Sequence, residues 1–233
     1  MPRYVLFCNE RYGRPFERAF RRWCAANRST DFLVVRSTRD EPADRSLPAR
    51  LRRLGQRART MASGRRDHVA LASDVNDAAF LRKWLAAGGD LFGLVAGFNQ
   101  IFREETIRRF TALLNFHPSL LPYYRGPVPS WWCIHNGETS TGVTLHVVTP
   151  EIDAGPILWQ TAIPIQTRDD AALDQALARA GAAVLPDVMD SLDTNTPLPA
   201  ARLDAARVYR TRAGYLSFPE TDRAQTHAGG SGR

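Results

Sequence analysis

The chain has 233 residues, 44% of them apolar, and a formal net charge of +7. That length holds one medium domain, or one domain with a small appendage, with enough apolar content for a real core. No run of eighteen apolar residues occurs, which excludes a membrane-spanning helix, and the arginine-rich positive charge suits an anionic partner such as a phosphate, a nucleotide or a tRNA, or reflects coding composition alone.

The amino-terminal run is short and soon turns polar, so it does not read as a signal peptide. Cys8, Cys24 and Cys133 show no pairing pattern and no metal spacing, and a cytoplasmic setting is expected. Residues 3–8 read as a first, buried strand. Phe16, Phe20, Trp23 and Cys24 then recur as on one helix face, and 31–35 reads as a second strand. This β-α-β start predicts an α/β fold: a Rossmann-like, mostly parallel sheet with flanking helices. Residues 46–66 are strongly basic, with Leu47, Leu51, Leu54, Ala58 and Met61 at helical spacing. They form either an amphipathic helix with a solvated basic face or a dock for an anionic acceptor.

A short strand at 68–72, a helix within 75–87 stopped by Gly88 and Gly89, and a strand at 90–96 follow. The segment Gly97-Phe98-Asn99-Gln100-Ile101-Phe102 reads by itself as a strand-to-helix loop, with a helix at 104–110 after it. Residues 113–117 form the next strand. On it Asn115 and His117 are two apart, so they point to one face, and Pro118 ends the strand. An imidazole moves protons near neutral pH, and a carboxamide N–H can bind an oxygen that becomes negative. The pair also suits the capping of a following turn.

Residues 129–136 read as a helix in which adjacent Trp131 and Trp132 cannot share a face, so one packs inward and the other is free to flank a pocket. His135 and His146 have no spaced partners, and no metal is expected. Residues 143–148 and 157–165 read as strands joined by a loop that carries Asp153. A carboxylate there could orient a histidine on a neighbouring strand, or be an ordinary turn aspartate. A long helix spans 169–192, with Pro186 expected to kink or bound it. Residues 1–193 are read as the main domain, 194–221 as a linker with a short C-terminal β arm, and 222–233 as a disordered tail.

Asn115-Phe-His117-Pro-Ser-Leu-Leu-Pro122, Arg125-Gly126 and Asp153-Ala-Gly155-Pro-Ile157 resemble, in order and spacing, the motifs of the N10-formyltetrahydrofolate-dependent formyltransferases. The resemblance implies a catalytic trio of Asn115, His117 and Asp153. It implies a folate site built from Asn99, Gln100, Ile101, Phe102, Val148 and Asp153, and acceptor contacts from Ser119, Arg125 and Trp132. The co-substrate it implies is N10-formyltetrahydrofolate, the formyl donor. Asn9-Glu10-Arg11-Tyr12-Gly13 departs from the glycine- and serine-rich phosphate turn expected of glycinamide ribonucleotide enzymes, and no tRNA-binding barrel is evident. The acceptor is therefore expected to be a small-molecule amine, anionic in character through a diphosphate handle, as in a nucleotide-linked amino sugar or another specialised metabolite. The alternatives are a formyltetrahydrofolate deformylase, formylation of glycinamide ribonucleotide, and formylation of initiator methionyl-tRNA. Neither membrane nor nucleic-acid partners are expected, and a homodimer is left open.

Overall fold

The computed structural model describes residues 2–28, 31–38, 68–86 and 88–196. The basic segment at 46–66, the C-terminal arm after 196 and the tail lie outside the described residues. The chain builds β1 (Arg3–Cys8), α1 (Arg14–Ala26), β2 (Phe32–Ser37), β3 (Val69–Ala72), α2 (Ala78–Trp84) and β4 (Leu91–Ala96). It continues through α3 (Glu104–Ile107), β5 (Ala112–His117), α4 (Pro129–His135), β6 (Ser140–Val147), β7 (Ile157–Pro164) and α5 (Asp170–Thr194).

The strands form a seven-stranded sheet in the order β3-β2-β1-β4-β5-β6-β7. The pairings from β3 to β5 are parallel, and β6 and β7 add antiparallel pairings at one edge. The expected Rossmann-like sheet is therefore present. From β1 the chain winds outward one way to β3, and from β4 the other way. Sheets of this kind bind ligands beyond the carboxyl ends of the strands near that reversal.

Two apolar layers sandwich the sheet. On one face, α1 and α5 bury Phe16, Phe20, Leu177, Leu185 and Val188 against Leu6, Leu94, Leu114 and Phe116. The carboxyl half of α5 is tied down by polar anchors as well: the Tyr4 hydroxyl donates to Asp193 (2.8 Å) and the Trp23 indole N–H to Asp190 (2.6 Å). Helix α5 begins at Asp169, whose carboxylate accepts from the N–H groups of Ala171 and Ala172, two donors that the helix itself cannot satisfy. It runs through Pro186 without a break, so the expected boundary there is absent.

The other face carries Val5, Phe7, Leu33, Val95 and Leu113 under Phe80, Leu81, Phe102 and Phe110. On this second face the apolar layer stops before the end of β5. Asn115 and His117 continue the inward-facing series of Leu113, because alternate residues of a strand share a face. The fold thus leaves two polar side chains where the core gives way to the strand ends.

Candidate functional site

Strand pairing sets the site. β5 lies between β4, in parallel register with Val95 opposite Asn115, and β6, in antiparallel register with His146 opposite Asn115 and Thr144 opposite His117. Directly opposed residues of an antiparallel pair share a face with their Cβ atoms about 5 Å apart. Asn115, His117, Thr144 and His146 therefore make a polar patch from two strands.

Asp153 reaches this patch from the loop between β6 and β7. It adopts φ +48°, a left-handed conformation that aspartate tolerates better than most residues. Several contacts hold it there. Gly126 N–H donates to its Oδ2 (2.8 Å). Arg125 Nε donates to the carbonyl of the preceding residue, Ile152 (2.9 Å), its Nη2 bonds the same oxygen, and Nη2 also meets Glu151 Oε1 at 3.1 Å. Asp153 Oδ2 then stands 3.5 Å from His117 Nδ1, and Oδ1 stands 3.4 Å from Asn115 Nδ2 and 3.5 Å from His146 Nε2.

His117 is almost wholly buried, at 4% exposure. Its Nε2 lies 2.9 Å from the Tyr124 carbonyl, which can only accept, so Nε2 carries hydrogen. Burial pushes its pKa below the ordinary value; Asp153 and the Tyr124 carbonyl oppose this without reversing it. The resting ring is thus neutral, with a bare Nδ1 turned towards Asp153. Burial would raise Asp153, but attraction to His117 and His146 in their protonated forms, with the Gly126 N–H, holds it well below the usual carboxylate range. The arrangement offers an amide donor, a proton-accepting imidazole nitrogen and a fixed carboxylate within one small patch.

The sign of the pH dependence follows. A histidine whose folded pKa is depressed contributes stability that is present above its unfolded value of about 6.5 and is lost as pH falls through that value towards the folded one. Asp153, also depressed, contributes stability above about 3.9, lost on further acidification. Wild-type stability is therefore expected to fall between pH 7.5 and pH 5, and less so in His117→Asn. Urea titrations at both pH values check this; equal slopes for the two proteins would show that His117 is not the group titrating.

The loop expected to meet a folate is half anchor and half surface. Gln100 is buried: its Oε1 accepts from Val75 N–H (2.8 Å), and its Nε2 donates to Ser37 Oγ (2.8 Å) and Ala72 O (2.9 Å). Phe102 is also buried, edge-on to Phe7 at 4.9 Å. Asn99 and Ile101 face outward, Ile101 with 64% exposure, so they are the two side chains here able to meet a ligand. Asn76 holds the loop from outside, donating to Ile101 O and accepting from Arg103 N–H and Thr106 Oγ1. Val148 is tied to β5 through its N–H to Leu113 O (2.8 Å). Gln100→Leu would orphan Val75 N–H and Ala72 O together. It is expected to cost about 2–3 kcal/mol of stability by denaturant titration; a loss below 0.5 kcal/mol, roughly the worth of one ordinary bond, would mean that the loop re-pairs without it.

The three acceptor contacts expected from sequence are all buried side chains. Ser119 is fully buried and its hydroxyl donates to Tyr123 O (2.8 Å), so it shapes the turn after β5 and has no face for a substrate. Arg125, at 6% exposure, is spent on Ile152 O and Glu151, so its main task is to hold the Asp153 loop. It also lines a small cavity with Leu121, Pro122, Asp153, Ala154, Gly155 and Ile157. Trp131 and Trp132 are both buried, with their rings 4.9 Å apart and nearly perpendicular, so neither is the exposed ring expected to flank a pocket. His146 is the site residue that sequence reasoning missed. Its signal lies in the pairing of β5 with β6, which local spacing does not give. Among the described residues no group of three or more His, Cys, Asp or Glu is placed to hold a metal ion, and no helix is long and apolar enough to cross a membrane.

A carboxamide, an imidazole and a carboxylate thus stand together at the strand ends of a mostly parallel, Rossmann-like sheet. The Formyl transferase family model matches residues 20–189, and the chain belongs to that family. It is 40% identical over 97 residues to the methionyl-tRNA formyltransferase of Trichlorobacter lovleyi, a match covering 41% of this chain and 31% of that protein. The chain thus matches about a third of that relative's length. Among solved structures it is similar to a sugar N-formyltransferase from a Shewanella species, with TM-score 0.68 and 20% identity over 99% of this chain and 90% of that one. It is also similar to the Helicobacter canadensis N-formyltransferase solved with folinic acid and dTDP-3-aminofucose, with TM-score 0.65 and 18% identity over 92% of this chain and 72% of that one.

Proposed function

We propose that this protein transfers a formyl group from N10-formyltetrahydrofolate to the primary amine of a small molecule, in the first instance a nucleotide-linked amino sugar. The observation that carries the reading is the convergence of Asn115, His117 and Asp153 in a chain of the formyl transferase family. A folate donor and a nucleotide-linked amino sugar are supported by the complex of the similar H. canadensis protein. The residues present fit a folate: exposed Ile101 and Asn99 sit on the anchored loop that leaves β4, the strand paired to β5, and a flat heteroaromatic ring needs an apolar face with a few polar contacts. The cytoplasm is the compartment this reading implies, where Cys8, Cys24 and Cys133, all free, stay reduced.

In this reaction the neutral amine attacks the formyl carbon and the carbonyl oxygen becomes an oxyanion. An Asn115 N–H stabilises that oxygen, a donor worth about 3 kcal/mol of barrier. The amine gives its proton to His117 Nδ1, the bare nitrogen. The resulting imidazolium is held between Tyr124 O and the Asp153 carboxylate. His117 then returns the proton to N10 as the bond from carbon to N10 breaks. The net result is formyl amine and tetrahydrofolate, with no covalent enzyme intermediate.

The purified protein, incubated with N10-formyltetrahydrofolate and a panel of amines, tests the reading by mass spectrometry. Formylation of a nucleotide-linked amino sugar, weakened by salt and poor for the free amino sugar, is the expected result. Consumption of the donor without an acceptor would make the protein a deformylase. A second reading, formylation of initiator methionyl-tRNA, is favoured by the 40% identity to a methionyl-tRNA formyltransferase; charged initiator tRNA belongs in the same panel.

Ile101→Asp puts a charge where the folate ring is proposed to lie. It is expected to weaken binding of a stable folate analogue about tenfold or more in calorimetric titration. Unchanged affinity would move the donor site away from the 99–102 loop.

A further inference from the structure

His146 is 2% exposed and has no assigned part in the chemistry above. Its Nδ1 lies 3.0 Å from the carbonyl oxygen of Val147, an atom that can only accept, so Nδ1 carries the hydrogen. In the neutral ring Nε2 is then bare, and it lies 3.0 Å from Asn115 Nδ2. That contact is a hydrogen bond only if the Asn115 nitrogen donates, which fixes which end of the carboxamide faces His146. The opposite amide orientation would set the Asn115 oxygen against the bare nitrogen and lose the bond. The same Nδ2 is 3.4 Å from Asp153 Oδ1, so one amide hydrogen is firmly held and the other rests on a longer, weaker contact.

We infer that His146 is a positioning residue: as the Nδ1–H tautomer it accepts one hydrogen from Asn115 and thereby turns the other towards the reacting oxygen. The Val147 carbonyl sets the tautomer, the tautomer sets the amide, and the amide presents its less tightly held N–H. The antiparallel pairing of Asn115 with His146 makes this possible, since it sets the two side chains opposite each other on one face. The polar and titratable groups close to the imidazole are Asn115, Asp153 and, with ring centres 6.4 Å away, His117.

The kinetic test rests on the formyl-transfer reading, and the spectroscopic test does not. In His146→Leu the acceptor is gone, and kcat is expected to fall about thirtyfold to a hundredfold with KM for the folate donor within about threefold, as for loss of orientation. In His146→Gln the side-chain oxygen can stand where Nε2 stood and accept from Asn115, so most of that kcat is expected to return. A structural role alone predicts that both variants lose stability and that Gln does not restore kcat over Leu.

Long-range 1H–15N correlation spectra of the wild-type protein at pH 7.5 read the tautomer directly, with His146→Gln used to assign the signal among the five histidines. Nδ1–H and a bare Nε2 are expected, with the Nε2 resonance moving in Asn115→Leu. An Nε2–H ring, a doubly protonated ring, or a kcat in folded His146→Leu within twofold of wild type would each overturn the inference. Should no amine be formylated, the reaction proposed above fails while the tautomer result stands.

Discussion

Replacing His117 by alanine is expected to lower kcat by about a hundredfold or more, because the variant has nothing at Nδ1 to take the amine proton. Asn115→Ala is expected to fall by a similar factor through loss of the oxyanion donor. Both positions stand at the boundary between core and strand ends, so the substitutions remove chemistry with modest loss of packing. The two losses should also combine by less than their product, because the groups share Asp153 and act on one intermediate. Steady-state kinetics on the two variants and the double variant, each with a circular dichroism spectrum to show that it is folded, decide the matter. Near-normal turnover in either folded single variant would remove that residue from the mechanism.

The second large effect lies outside the trio. A Cβ added at Gly155 would stand 1.9 Å from Val147 O and 2.9 Å from Val147 C. Both are backbone atoms at the base of the loop that carries Asp153, so no side-chain rotation relieves the clash. The loop must shift, and Asp153 with it. A displacement of about 1 Å at a reacting group costs on the order of a hundredfold in rate. Gly155→Ala is therefore expected to lose turnover far out of proportion to stability. Gly181→Ala supplies the comparison: its Cβ would meet Phe16 Cζ at 2.6 Å, in the core between α5 and α1. Overpacking there is expected to cost about 1–3 kcal/mol of stability while kcat per folded molecule stays near wild type. Equal kcat for Gly155→Ala and wild type would show that the loop conformation does not set the carboxylate.

What the residues determined by themselves was the local order. Buried apolar runs and helical recurrences in the first 35 residues give a β-α-β start, and the sheet has that form. Asn115 and His117 were placed on one strand face because side chains alternate along any strand, whatever its neighbours. Asp153 was placed in a loop because Pro150, Gly155 and Pro156 bound it. These are properties of a few adjacent residues, and they carry over into the fold unchanged.

What tertiary structure decided was who meets whom. That His146 faces Asn115 depends on β6 running antiparallel beside β5 in a single register, and a shift of one residue would turn His146 to the other face. The resemblance places Arg125 among the acceptor contacts. In the fold its donors meet the Ile152 carbonyl and Glu151 first, since an arginine this buried must be paired from within. Gln100 and Ile101 are neighbours in sequence and were assigned together. The burial of one and the exposure of the other follow from Val75, Ser37 and Ala72 supplying partners on the inner side of the loop. Chemistry can be read from residue types, but which of those residues remain free to perform it depends on the partners that the folded chain supplies.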